Sequence, residues 1–285
     1  MRRIKVSSPA KLNLVLDVLG KRPDGFHELR TIFERIDLRD EIILTRNQTG
    51  RITVRCRHPH VPKNSSNLAV KAAMMLAQDF SIHEGLDIHI IKNIPVAAGL
   101  AGGSSNGAAV LQGLNRLWQL GLSTPKLAQY AAHLGSDVAF FLYDVPYGLG
   151  TGRGEQIKPL NLPTKLWHVL VTPRVKMYTK DVFARLKLSL TNKKDNVNIL
   201  LPFLRKGQFF GLTGVLSNDL EPAILSLRPD FIRLKQKLID AGSPGVCFSG
   251  SGPSVFACAE SKAHALRIRA KLDRRYSQVF VVSTL

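Results

Sequence analysis

The chain has 285 residues, 45% of them hydrophobic, which is enough apolar material for two domain cores. Its 40 Lys and Arg against 21 Asp and Glu leave a formal net charge of +19, a field that draws in polyanions and keeps both nucleic acids and nucleotide-like substrates in play. Three cysteines without a C-x-x-C pair exclude a disulfide framework and a paired-cysteine metal or redox site.

In chain order, Leu12, Leu14, Leu16 and Val18 alternate at period two. That predicts a strand with Lys11 and Asn13 together on its other face. Pro23-Asp24-Gly25 then predicts a hairpin turn that delivers Phe26 and His27 at the start of a returning strand. Strands are expected at Thr31–Leu38, Glu41–Thr45, Ile52–Cys56 and Leu86–Ile91, with helices at Ser66–Gln78, Gly103–Gln119 and Thr124–Leu134. A domain boundary is expected after Pro159–Pro163, giving parts 1–163 and 164–285. The second part reads as strands at Trp167–Thr172, Val246–Phe248, Ser254–Cys258 and Gln278–Val282. Its helices are expected at Lys180–Leu186, Asp219–Leu225, Pro229–Ala241 and Lys262–Arg274. The stretch Tyr147–Glu155 holds more glycine than a connector needs and is expected to line a cleft.

Chemistry concentrates in PVAAGLAGGSSNGAA, Pro95–Ala109. Gly99, Gly102, Gly103 and Gly107 permit tight turns and close backbone approach, while Ser104, Ser105 and Asn106 are candidates to cap the following helix and donate to an anion. Val110, Leu111, Leu114 and Trp118 recur at helical spacing and would anchor that helix. Its N-terminal amides and dipole would add about half a positive charge. The loop lacks both G-x-x-x-x-G-K-[ST] and G-x-G-x-x-G, so it is neither a P-loop nor a dinucleotide fingerprint. Residues Gly103–Gly107 satisfy G-x-S-x-G, with Asp137 and His168 following in hydrolase order. A nucleophile elbow, however, wants its serine directly after a strand, and Ile91 lies too far back.

Two further readings stay open on the letters. Lys262, Arg267, Arg269, Lys271, Arg274 and Arg275 lie on one predicted helix, with Ala263, Leu266, Ala270 and Leu272 facing inward. A solvated helix face accounts for them better than a nucleic-acid stripe, since no nucleic-acid motif accompanies them. In RCRHPH, His58 and His60 with Cys56 lack a fourth ligand and read as surface loop rather than metal site. MRRIKVSSPAKLNLVLDVL has no continuous signal-type apolar core, and no apolar run approaches the ~20 residues of a membrane span, so a soluble, cytoplasmic protein is expected.

Four segments in collinear order, PAKLNL, RPDGFHEL, GLAGGSSN with LGSDV, and SGSGPSVFA, resemble the motifs of the GHMP small-molecule kinases. The resemblance runs from Pro9 to Ala257, with smaller matches at Ser66-Asn67-Leu68 and Asn218-Asp219-Leu220-Glu221. It implies a two-domain α+β fold, with an N-terminal domain like that of a ribosomal-protein superfamily, a C-terminal ferredoxin-like domain and the active site in the cleft between them. It implies transfer of the γ-phosphoryl of ATP, with Mg2+, to a hydroxyl of a cytidyl-diphosphate polyol. The expected catalytic residues are Asp137, as base or as an orienting group, and Lys11. Asn13, Phe26, His27, Thr179 and Phe183 are expected to bind that substrate, the aromatics by stacking on the base. Asn67, Lys92, Pro95, Gly99, Leu100, Ala101, Gly102, Gly103, Ser104 and Ser105 are expected around ATP. RPDGFHEL argues against acceptors such as homoserine, mevalonate or a sugar, which present no cytosine. Ala98 and Ala101 stand where relatives often have glycine, and Gly107 where they have alanine. Magnesium ligands are not assigned, and the oligomeric state is left as a monomer or weak homodimer.

Overall fold

The computed structural model describes residues 2–187, 195–209, 213–272, 276 and 278–285. By compactness the chain divides into one unit of Met1–Ala10, Leu38–Val96 and Ala101–Asp144, and another of Lys11–Asp37, Ala97–Leu100 and Val145–Leu285. Both β1 (Arg3–Lys21) and β2 (His27–Asn47) run through the two units. The break expected at 163/164 falls inside the second unit.

In the first unit the last part of β2 pairs antiparallel with β4 (Gly85–Ile91), from Glu41 opposite Ile91 to Asn47 opposite Gly85. Parallel to β4 lies β3 (Ile52–Cys56). Helices α1 (Leu68–Asp79), α2 (Gly102–Leu117) and α3 (Thr124–Leu134) pack on one another. Val110, Leu111 and Leu114 of α2 are buried as the periodicity predicts, whereas Trp118 ends the helix as its C-cap. Gly113 has a packing reason: a Cβ there would come within 2.6 Å of Leu44 Cδ1 and 3.0 Å of Val6 Cγ2, so glycine lets the helix approach the strands closely. The two strands expected over 31–45 are one strand of 21 residues. No glycine or proline interrupts it, and the carboxylate of Asp40 is buried and hydrogen-bonded instead of making a turn.

In the second unit the hairpin turns where expected, with Gly25 at φ +84°. The sequence pattern suggested one polar face for β1, but Ala10 through Asp17 are buried on both sides, Lys11 and Asn13 included. Parallel to β1 runs β8 (Ser217–Asn218), too short to leave a periodic signal. The glycine-rich stretch after Tyr147 is a hairpin of β5 (Tyr147–Thr151) and β6 (Gln156–Leu160), with β5 antiparallel to β2. Its glycines answer to packing and turning. A Cβ on Gly150 would lie 2.6 Å from the Phe33 ring, and Gly152 and Gly154 sit at φ +70° and +100°.

The rest of this unit is a four-stranded antiparallel sheet in the order β11 (Val279–Ser283), β7 (Trp167–Val171), β10 (Val255–Ala259), β9 (Val246–Phe248). Helices α4 (Thr179–Ala184), α5 (Asn196–Lys206), α6 (Glu221–Leu227), α7 (Phe231–Asp240) and α8 (Lys262–Ala270) complete it. Its core joins Val169, Val171, Val255 and Ala257 of the sheet to Ile224, Phe231, Leu234, Leu238, Ala265 and Ile268 of the helices. The inward face predicted for α8 is mostly out of phase: Ala265 and Ile268 are buried, while Ala263 and Ala270 are exposed and Leu266 is 46% exposed, and of the predicted residues Leu272, just past the helix, packs against the core. The pair one turn apart at 265 and 268 fills the core, and the basic residues lie around the remaining circumference. Arg274 and Arg275 lie outside the described residues. No described helix is long and apolar enough to cross a membrane.

A wholly buried polar cluster fastens β2, β7, β10 and the chain end. His168 Nε2 lies 2.8 Å from Glu34 Oε2, Cys258 Sγ lies 3.5 Å from His168 Nδ1, and Thr284 Oγ1 donates to Glu34 Oε1 at 2.6 Å. Burial alone would lower the pKa of His168, but the Glu34 carboxylate beside it and then Cys258 outweigh burial and hold it up at about 10. The stability carried by this charge is fully present below pH 6.5, where the unfolded histidine is also protonated, and is lost as pH rises through about 10. Urea denaturation is therefore expected to give a lower midpoint at pH 9 than at pH 6. Glu34→Gln should cost about 3 kcal/mol and flatten that dependence.

Candidate active site

In the second unit, Lys11 and Asn13 sit in the buried middle of β1. The Lys11 ammonium donates to Asn13 Oδ1 and lies 5.4 Å from the centroid of the Phe33 ring. Asn13 Nδ2 donates to Thr31 Oγ1 at 2.8 Å, and that hydroxyl donates to the Val15 carbonyl at 2.6 Å. A lysine that is 4% exposed is thus held by a directed chain of side chains and a cation–π face rather than by solvent.

The loop of residues 249–254, between β9 and β10, packs beside it. A Cβ on Gly250 would lie 3.4 Å from both Lys11 Nζ and Asn13 Oδ1. Asn218 anchors this loop through Nδ2, which donates to the carbonyls of Phe248 at 3.0 Å and Gly250 at 2.7 Å. Ser249 Oγ donates to the Gly99 carbonyl at 2.9 Å, and the Lys11 amide donates to the Leu100 carbonyl at 3.2 Å. Gly99 and Leu100, both expected near ATP, are therefore fixed from two sides.

A second group in this unit gathers the residues expected to hold a base. His27, the first residue of β2, and Phe183 of α4 have ring centroids 4.8 Å apart with a 31° tilt. Burial, helped by the charge of Lys21, lowers the pKa of His27, which favours the neutral ring, one nitrogen a donor and the other an acceptor. Phe26 is 52% exposed, an uncommon state for a phenylalanine, and the Arg153 guanidinium lies 4.8 Å from its centroid. Thr179, the first residue of α4, hydrogen-bonds Ser251 across 3.0 Å between hydroxyls.

In the first unit, Asn67 caps α1: its Oδ1 accepts from the Ala69 amide at 3.0 Å and its Nδ2 donates to the Pro62 carbonyl at 2.8 Å. Pro95 is buried. Capping of α2 by Ser104, Ser105 or Asn106 is not observed. The helix begins at Gly102, its N-cap is Ala101 in left-handed backbone at φ +53°, and no side chain caps it. Ser105 and Asn106 turn inward instead: Ser8 Oγ donates to Ser105 Oγ at 2.8 Å, and Asn106 Nδ2 donates to Ser8 Oγ at 2.8 Å and to Asp40 Oδ2 at 2.9 Å. Gly103 is exposed and Ser104 half-buried, leaving the helix start open at those positions. Lys92 is no solvated strand-end lysine. Its side chain is 6% exposed and its Nζ lies 2.5 Å from Asp40 Oδ2. Asp137 is half-buried in the turn between α3 and a short 3-10 helix, Ala139–Leu142.

Asp40, Ser8, Ser249 and Arg153 were not singled out from the sequence, because each acts across the fold and none lies at a local spacing that marks it. The hydrolase reading fails. Ser105 lies inside a helix, 1% exposed and bonded to Ser8, and His168 is wholly buried against Glu34. Among the described residues no cluster of three or more His, Cys, Asp or Glu is gathered to hold a metal ion.

The description "GHMP kinases N terminal domain" matches residues 67–144, and "GHMP kinases C terminal" matches residues 203–278. A protein of Brevibacillus brevis named 4-diphosphocytidyl-2-C-methyl-D-erythritol kinase is 42% identical over 99% of this chain and 97% of its own length. The chain belongs to the GHMP kinase family. It is thus a kinase, and its mixed α+β units have the fold of this family. A crystal structure of 4-(cytidine 5'-diphospho)-2C-methyl-D-erythritol kinase superposes with a TM-score of 0.84 at 30% identity, covering 98% of each chain. The homoserine kinase of Cytophaga hutchinsonii, at TM-score 0.80 and 22% identity over 100% of this chain and 95% of that one, shares the fold.

Gly99 tests the geometry of the loop. At φ +73° an alanine would be strained, and its Cβ would overlap the Ser249 carbonyl and come within 2.9 Å of that of Gly252. Gly99→Ala is expected to reduce ADP affinity at least tenfold by calorimetry, with a loss of about 1–2 kcal/mol in stability from the left-handed backbone alone.

Proposed function

We propose that the protein transfers the γ-phosphoryl group of ATP to the 2-hydroxyl of 4-diphosphocytidyl-2-C-methyl-D-erythritol, a step of the non-mevalonate route to isoprenoid precursors. The observation that carries the acceptor is the placing of exposed Phe26, His27 and Phe183 on one unit, with the His27 and Phe183 rings 4.8 Å apart. An aromatic face and a ring nitrogen pair able to donate and accept suit a cytosine, and acceptors such as homoserine or mevalonate have no use for them. The names of full-length relatives at 40–42% identity point the same way.

In this reading Phe26 and Phe183 stack on the base, His27 hydrogen-bonds its edge, and Thr179 and Asn13 contact the rest of the substrate. ATP is bound by Asn67, Lys92 and the backbone and side chains of Pro95 and Gly99–Ser105, with the open start of α2 facing negative charge. Phosphoryl transfer asks little covalent chemistry of a protein: an aligned hydroxyl, an acceptor for its proton, and positive charge where negative charge develops. Lys11 supplies the charge and orients the hydroxyl, and its buried, directed setting supports that role because little reorganisation is needed at the moment of transfer. Asp137 accepts the proton. Mg2+ supplied with ATP would neutralise part of the phosphate charge, adding to what Lys11 and the start of α2 provide. The reaction needs neither a membrane nor a nucleic acid, and we place it in the cytoplasm, with a monomer or weak homodimer as the working unit.

ADP release is expected with the cytidyl acceptor and not with mevalonate or homoserine. Turnover on either control alone would replace the acceptor assigned here. Asp137→Asn should lower kcat at least a hundredfold while ADP affinity stays within threefold of the parent, and a fully active variant would remove Asp137 from the mechanism.

A further inference from the structure

One buried carboxylate holds together parts of the first unit that the sequence treats as separate. Asp40, in the middle of β2, is completely buried. Its Oδ1 accepts from the backbone amides of Asn93 at 2.7 Å and Ile94 at 2.8 Å, the residues that lead from β4 toward the glycine-rich loop. Its Oδ2 accepts from Lys92 Nζ at 2.5 Å and from Asn106 Nδ2 at 2.9 Å, on the first turns of α2. The chain before the loop, the helix after it and a lysine expected to contact ATP thus converge on two oxygens.

The lysine is where this matters. A Cβ on Gly102 would lie 2.9 Å from Lys92 Nζ and 3.0 Å from Ile94 Cγ2, so the ammonium is seated against the first residue of α2. A cation beside the positive end of a helix is unfavourable on its own. Burial pushes the pKa of Lys92 down, and the Asp40 carboxylate pulls it back. A buried ammonium keeps its charge and its place when a carboxylate accompanies it, and an ammonium has three donors of which Asp40 takes one.

We propose that Asp40 is a positioning residue for nucleotide binding: by pairing with Lys92 and bonding to Asn93, Ile94 and Asn106, it fixes the Lys92 ammonium at Gly102 and sets both arms of the loop. The proposal rests on the reading that Lys92 and this loop bind ATP, and it does not depend on which molecule accepts the phosphoryl group. Asp40→Asn discriminates within the cluster. Its amide oxygen can still accept from Asn93 and Ile94, while its NH2 group meets the donors of Lys92 and Asn106.

The test is ADP affinity by calorimetry without acceptor, together with KM for ATP and for the cytidyl substrate, on Asp40→Asn, Lys92→Met and the double variant. The expected result is a tenfold or greater loss of ADP affinity and a matching rise in KM for ATP, with KM for the cytidyl substrate within twofold. The double variant should be no worse than the weaker-binding single. ADP affinity within twofold of the parent, an equal rise in both KM values, or losses that multiply in the double variant would overturn the proposal. If Asp40→Asn does not fold, Asn106→Ala decides. It removes the α2 arm and leaves the ion pair, so a loss of ADP affinity of threefold or more supports the proposal and an unchanged affinity overturns it. If the parent protein binds ADP but does not phosphorylate the cytidyl substrate, the proposed acceptor fails and the ADP measurements still decide the role of Asp40.

Discussion

The phosphate-binding reading depends on a stretch of backbone that is unfavourable by itself. Between β4 and α2 the chain passes through left-handed conformations at Ala97, Gly99 and Ala101, two of them alanines, each of which costs about 1–2 kcal/mol. Such a loop stays formed only if its surroundings determine it. Ser249 and the Lys11 amide hold the carbonyls of Gly99 and Leu100, and Asp40 holds the residues before the loop and Asn106 after it. The small residues of the loop thus have two duties, to permit the turns and to admit close neighbours. Gly99 and Gly102 meet backbone and Lys92 where a side chain would stand.

Placing charge inside the fold follows the same economy. Lys11, Lys92 and His168 are all buried cations, and each has a directed partner in Asn13, Asp40 or Glu34. The first two belong to the proposed site and the third fastens the C-terminal sheet. Desolvation makes each arrangement costly to break, which gives the cations fixed positions. A surface lysine, free to move in water, has none.

Much of the secondary structure was legible because it is local. The helix at Thr124–Leu134 and the strands at Ile52–Cys56, Leu86–Ile91 and Val246–Phe248 follow periodicity and turn residues, and match the observed limits at one or both ends. What escaped is non-local or contradicts a local rule. Helix α5 carries Pro202 in its interior and was not expected, β8 is two residues long, and the β5–β6 hairpin hides in glycines that serve the Phe33 ring. The inward face of α8 was misjudged by phase because two buried residues suffice to dock a short helix. Of the residues expected at the site, Lys11 lies against Asn13 and His27 against Phe183. The motifs could not show that Ser105 and Asn106 face inward, since a serine that caps a helix and one that ties it to a strand look alike in sequence. Asp40 was invisible for the same reason, its partners lying 52, 53, 54 and 66 residues away.

In the proposed reaction the γ-phosphoryl group of ATP ends on the polyol of a cytidyl diphosphate. Phosphorus NMR of the complete reaction reads this directly. The ATP γ resonance is expected to disappear, ADP and a new phosphomonoester resonance to appear in equal amount, and the cytidine diphosphate signals to persist. ADP accompanied by inorganic phosphate alone, or ATP left intact in the presence of folded protein, magnesium and the cytidyl substrate, would contradict it.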